Sequence, residues 1–210
     1  MKSAGIGELV YATDCPGLAL RNITAANSGG DAISVSSSPA AYVHPTRPVS
    51  VTALRRAVAD QGCAGSVGLR TVQRCLVEDS GGVGIELSEC DHGEISNSRV
   101  NGAGNIVQNL PGITIHDSPY GVVTRCEVMN VAHSRGIRYD SSADSGRYTN
   151  VSWNHIHDCG CGGDDCLSDG GGLDGMNTGS VLPVYLEHNW VHHINAHHFG
   201  TFFLLLTSDP

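Results

Sequence analysis

Lysine is almost missing from this chain: Lys2 stands alone beside eleven arginines in 210 residues. Aromatic residues make up 5% and charged residues 16%, too few helix formers and too little charged surface for a helical bundle. Long apolar runs are missing too. None approaches the ~18 residues that a spanning helix needs, so no membrane insertion is expected. The formal net charge of -9 removes the attraction on which nonspecific nucleic-acid binding depends, and no nucleic-acid partner is expected. The same acidity disfavours a uronate-rich polysaccharide unless calcium or an arginine cluster reverses the local field. A neutral polysaccharide or glycan is the easier partner.

Glycine is abundant, at 27 residues, and 40% of the chain is hydrophobic. The length suits one domain or part of a larger protein. Eight cysteines are too sparse for a disulfide-dense scaffold. Cys15, Cys63, Cys75, Cys90 and Cys126 follow no metal-ligand spacing and read as small buried hydrophobes. Cys159, Cys161 and Cys166 lie closer together, and with His155 and His157 they form an inventory that zinc would accept. Burial or a local disulfide is the simpler expectation, so no metal is assigned. Calcium on Asp164, Asp165 and Asp169 is a weaker alternative, since no EF-hand-like or nonapeptide pattern surrounds them. No other cofactor is implied. No apolar stretch of signal-peptide length follows Lys2.

Internal repetition decides the fold class. With Val72, Ile95, Val123, Val151 and Leu186 aligned, the residue three further on is Cys75, Ser98, Cys126, Asn154 or Asn189. Five further on stand Val77, Val100, Val128, Ile156 and Val191, all β-branched. A less regular earlier copy is read at Leu18 and Ile23, with Arg21 in the small position. After each copy come a bend and a second apolar piece, as in Gly84-Ile85-Glu86-Leu87, Gly136-Ile137-Arg138-Tyr139 and Gly172-Leu173-Asp174. The segments alternate with a period of two, so two short strands per unit are expected. Anchors recur after 23, 28, 28 and 35 residues, and units so short cannot close their own core.

Such units stack as a solenoid. The expected fold is all-β, a single-stranded right-handed parallel β-helix, with the five β-branched residues buried in one ladder and amides bonding along the Asn/Cys/Ser column. Residues 1–210 are then one β-helix domain or a fragment of one. The apolar TFFLLLTSDP (201–210), with nothing after it, points to a fragment. Residues 36–66 are expected to form an insertion between coils, and VTALRRAVAD (51–60) is spaced for a short helix.

The phrases NVSWNHIHDCG (150–160), LSDGGGLDG (167–175) and VYLEHNWVHHI (184–194) resemble the right-handed β-helix proteins of the pectate-lyase superfamily. In motif they are most similar to glycoside-hydrolase-like members. The resemblance implies a carbohydrate-active protein placed outside the cell or on its surface. It also implies a catalytic or substrate-binding role for Asp169 in Ser-Asp-Gly-Gly. Hydrolases of this kind carry Leu-Asp-Glu one coil later. Here the chain reads LLLTSDP, with Thr207 at the matching place and Asp209 displaced. Gly163-Asp164-Asp165-Cys166 is similar to a polygalacturonase phrase, but the accompanying Asn-Thr-Asp, Gly-His-Gly and Arg-Ile-Lys are absent.

Read for chemistry, position six of the repeat holds His157 and His192, and position seven holds Asp158 and His193. If the coils stack, these are vertical neighbours that could line a sugar groove, or be no more than turn residues. Glycoside hydrolysis generally uses two carboxyl groups. Asp169 is the first candidate, with Asp174 or Asp209 as the second. A polysaccharide lyase would need a base, and only Arg135, Arg138, Tyr139 or a histidine could serve. A non-catalytic surface or carbohydrate-binding module is the remaining alternative.

Overall fold

A computed structural model describes residues 10–13, 19–26, 31–36, 50–52, 70–107, 109–141, 148–160, 171–177 and 184–195. Among them all regular structure is strand. Strand β1 (Val10–Thr13) precedes a first coil of β2 (Ala19–Arg21), β3 (Thr24–Ala26) and β4 (Ile33–Ser36), and β5 (Ser50–Thr52) follows it. Coil 2 is β6 (Arg70–Gln73), β7 (Leu76–Glu78) and β8 (Ile85–Ser88), and coil 3 is β9 (Gly93–Ser96), β10 (Arg99–Ala103) and β11 (Ile113–His116). Coil 4 is β12 (Val122–Thr124), β13 (Glu127–Val131) and β14 (Arg135–Ser141). Coil 5 is β15 (Asn150–Ser152), β16 (His155–Gly160) and β17 (Gly171–Asn177), followed by β18 (Tyr185–Glu187) and β19 (Trp190–Asn195) of coil 6.

Equivalent strands pair in parallel to give three sheets. Sheet A runs β2-β6-β9-β12-β15-β18, sheet B runs β5-β3-β7-β10-β13-β16-β19, and sheet C runs β1-β4-β8-β11-β14-β17. This is the expected right-handed parallel β-helix. The anchor residues stack in sheet A, Val72 on Ile95 on Val123 on Val151 on Leu186. The β-branched column stacks in sheet B, Val77 on Val100 on Val128 on Ile156 on Val191. The first four are fully buried and Val191 packs partly buried against them.

Coils 1 to 5 each have three strands where two were expected. Strands of sheets A and B are separated by a sharp turn whose left-handed residue is Asn22, Arg74, Asn97, Arg125, Trp153 or His188, with φ between 49° and 61°. In coils 2 to 6 the side chain after that residue is Cys75, Ser98, Cys126, Asn154 or Asn189, and it ties coil to coil. Cys75 N–H donates to Ser98 Oγ at 3.2 Å, Cys126 N–H to Asn154 Oδ1 at 2.9 Å, and Asn154 N–H to Asn189 Oδ1 at 3.0 Å. A second left-handed column, Asp79, Gly102, Asn130, Asp158 and His193, ends the outward run of sheet B.

A glycine column then opens sheet C. A Cβ on Gly112 would run into Val128 Cγ1 and lie 2.8 Å from Gly136 O, and one on Gly136 would run into Ile156 and lie 2.7 Å from Gly172 O. Glycine is there because the β-branched column leaves no room for a side chain.

Two expectations are corrected. Leu20, not Leu18, stacks on Val72, so Ile23 takes the small position and Ala25 pairs with Val77. A slip of two residues keeps the in-out alternation intact, and the sequence pattern therefore did not distinguish the two registers. Leu18 lies outside the described residues. Val51 and Thr52, which open the expected helix, instead lie in β5, paired with β3 on the side away from β7. Both are β-branched, and the edge of β3 offers backbone groups to pair. Residues 53–60 of that segment lie outside the described residues. Strands β2, β3 and β4 pair directly with β6, β7 and β8, so coils 1 and 2 are neighbours.

Candidate functional site

Alternation along sheet B sends positions four and six outward, because position five is the buried column. Stacking then makes two outer rows. One runs Leu76, Arg99, Glu127, His155, Trp190, and the other Glu78, Asn101, Met129, His157, His192. Over coils 4 to 6 these rows become a patch of carboxylate, imidazole and indole.

Trp190 is 63% exposed and stacks on His155 with ring centroids 4.4 Å apart and planes 5° from parallel. His157 stacks on His192 at 5.2 Å and 5°. His155 Nε2 lies 2.9 Å from His192 Nε2, so one imidazole donates and the other accepts. Glu127 joins from β13, its Oε1 3.8 Å from His155 Nδ1 and 3.5 Å from His157 Nε2, while Arg99 Nε holds its Oε2 at 2.9 Å. Three potential ligand atoms, one each from Glu127, His155 and His157, lie within 4.8 Å of one another. Beside the patch, Trp153 stacks on His188 at 4.2 Å.

The expected vertical pairing of His157 and His192 is present. Asp158 and His193 both adopt the left-handed conformation, with φ of 53° and 50°. Asp158 Oδ2 is 2.6 Å from His157 Nδ1, and His193 Nδ1 stands 3.9 Å from Asp158 Oδ1. The hydrogen bond from His157, with help from the positive potential of the neighbouring histidines, lowers the pKa of Asp158. For His192, partial desolvation first, then His193, His155 and His157, lower the pKa and favour neutral imidazole.

Asp174 lies in β17, on the outer side of sheet C rather than sheet B, and is ion-paired to Arg135 Nε. Arg135 also donates to Asn109 Oδ1 at 2.6 Å. Burial, and secondarily the charge of Asp174, raises the pKa of Tyr139 and makes it a poor base at neutral pH. Asp164, Asp165, Asp169, Cys161, Cys166, Thr207 and Asp209 lie outside the described residues.

Of the two expectations for Cys159, burial is the one found: it is a free, buried thiol. It follows the left-handed Asp158 and points into the core, with Sγ 3.8 Å from Val128 O. His155 and His157 point outward, so no cysteine-histidine zinc site forms with Cys159. Sequence inspection passed over Glu127 and Trp190. The signal was position four of the repeat, which the alignment contained but which only the stacking of strands turns into a surface row.

No curated protein and no solved structure matches the chain significantly. The family model described as a right-handed β-helix region matches residues 4–179. With that match and the three stacked parallel sheets, the chain belongs to the right-handed β-helix family.

Proposed function

We propose that the protein is carbohydrate-active, binding a neutral glycan over coils 4 to 6 and hydrolysing it. The observation that carries this reading is the exposed indole of Trp190 set flat on His155 at the edge of an imidazole row. A flat aromatic platform suits the apolar face of a pyranose, and His157, His192, His193 and Asp158 offer hydrogen-bond partners for its hydroxyls. The net charge of -9 favours an uncharged polymer. Hydrolysis is assigned to Asp169 as one catalytic carboxyl, two residues ahead of β17 in sequence. The ion-paired Asp174 is suited to the base or nucleophile, and Asp209 is the alternative. The glycan then runs from the platform across the corner between sheets B and C.

The test is a panel of neutral and acidic polysaccharides, assayed with the full chain, Trp190→Ala and Asp169→Asn for binding, new reducing ends and unsaturated products. Trp190→Ala is expected to weaken binding at least tenfold, and Asp169→Asn to bind normally without releasing reducing ends. Equal activity of Asp169→Asn and the parent removes Asp169 from the mechanism, and an unsaturated uronate product identifies a lyase. Binding without any product would favour a non-catalytic module.

A further inference from the structure

We propose that Glu127, His155 and His157 form a binding site for one divalent first-row transition metal, with zinc as the probe. The placement follows from the fold: Glu127 faces His155 across the β13–β16 ladder, and His157 is the next outward residue along β16. Three rigid strand positions thus present two imidazoles and a carboxylate to one point. This donor set suits zinc, nickel or iron(II) and leaves coordination positions open for water.

The distances fit an ion shared between the groups better than direct hydrogen bonds. Glu127 Oε1 lies 3.5 Å from His157 Nε2 and 3.8 Å from His155 Nδ1. Both separations exceed the 2.7–3.2 Å of an ordinary N–H···O bond. Two donors sharing a tetrahedral ion at its usual ligand distances stand roughly 3.4 Å apart. His157 Nε2 is inaccessible to solvent and has no hydrogen-bond partner, a costly arrangement that a bound cation would relieve.

Each ligand is also held from behind. The other oxygen of Glu127 takes Arg99 Nε at 2.9 Å, the other nitrogen of His157 meets Asp158 Oδ2 at 2.6 Å, and the other nitrogen of His155 meets His192 Nε2 at 2.9 Å. Outer partners of this kind fix the tautomer and ring orientation of metal-binding histidines. With His157 Nδ1 carrying the proton toward Asp158, Nε2 is left with its lone pair facing Glu127. This inference does not depend on glycan binding, because it is read with metal alone.

The experiment titrates the full chain, stripped with a chelator, with Zn2+ against a chromophoric competitor, and repeats the titration with Co2+ to read the visible d–d absorption of a bound ion. One tight equivalent is expected. It should be lost in Glu127→Gln, in His157→Ala and in the combined Glu127→Gln/His155→Ala/His157→Ala variant, and weakened 10–100-fold in Asp158→Asn. Thermal unfolding controls for misfolding: in chelator the variants should melt with the parent, and Zn2+ should raise the midpoint of the parent, raise that of Asp158→Asn less, and leave the ligand variants unmoved. Absence of a tight equivalent in the parent would overturn the proposal. So would its survival in the triple variant.

Discussion

From coil 2 onward, the polar or thiol side chain at the A-to-B turn replaces the backbone partner that a sharp turn lacks. Asn154, 2% exposed, does this in both directions: its Oδ1 accepts from Cys126 N–H, its Nδ2 donates to Val123 O at 3.0 Å, and its own N–H is taken by Asn189. Replacing it with alanine strands a buried N–H and a buried carbonyl, each costing about 1–3 kcal/mol. Asn154→Ala is therefore expected to lower stability by a few kcal/mol in denaturant titration, with Asn154→Asp intermediate because it keeps only the acceptor. An effect below about 0.5 kcal/mol would show that the turn does not need the amide. Cysteine fills the same position in coils 2 and 4, where Cys126 Sγ lies 3.7 Å from Ile95 O. Burial pushes the Cys126 and Cys159 thiols up to about 12 and raises Cys75 as well. Alkylation at neutral pH, mapped by mass spectrometry, should spare all three until the protein unfolds.

At the scale of the element, the geometry of one coil depends on the coil after it. Gly136 in β14 backs onto Ile156 of β16 and the carbonyl of Gly172. Gly136→Ala must push apart either the buried column or the β14–β17 pairing, so a loss of about 1–3 kcal/mol or more is expected. In the double variant Gly136→Ala/Ile156→Ala, which removes the opposing Cγ2, the combined loss should fall short of the sum of the two single losses; additive losses would locate the clash elsewhere. The same dependence on neighbours explains what could be read from the sequence. Val77 to Val191 were legible because stacking repeats one environment five times. The division of each copy into two strands was not, since in three of the six coils the left-handed turn is filled by Arg74, Arg125 or Trp153, none of which announces a turn. Glu127 and His155 stand 28 residues apart in sequence, and only the pairing of β13 with β16 makes them neighbours. The Leu18 reading failed for a related reason: two residues along a strand return to the same face.

Across the whole molecule, cohesion passes from coil to neighbouring coil, so stability is local along the axis. The aromatic and imidazole patch sits on coils 4 to 6, and those coils are therefore expected to respond first to acid. His192 and Asp158 both have pKa values lowered by folding. The folded state therefore binds fewer protons than the unfolded one, and stability rises with pH across each window. For His192 the contribution is full above its ordinary 6.5 and is lost as pH falls through its lower folded value. For Asp158 the loss begins only below 3.8. Among the described residues the groups facing them are His155, His157, His193 and Glu127, so a proton gained by His192 places a positive charge beside three other imidazoles. Hydrogen exchange in the presence of chelator, followed from neutral pH toward 5, should show protection falling first in β16 and β19 while β7 and β10 hold. His192→Asn should flatten that dependence. A parent protein that loses protection evenly along the axis, or a His192→Asn variant with an unchanged pH slope, would separate the acid response from this cluster.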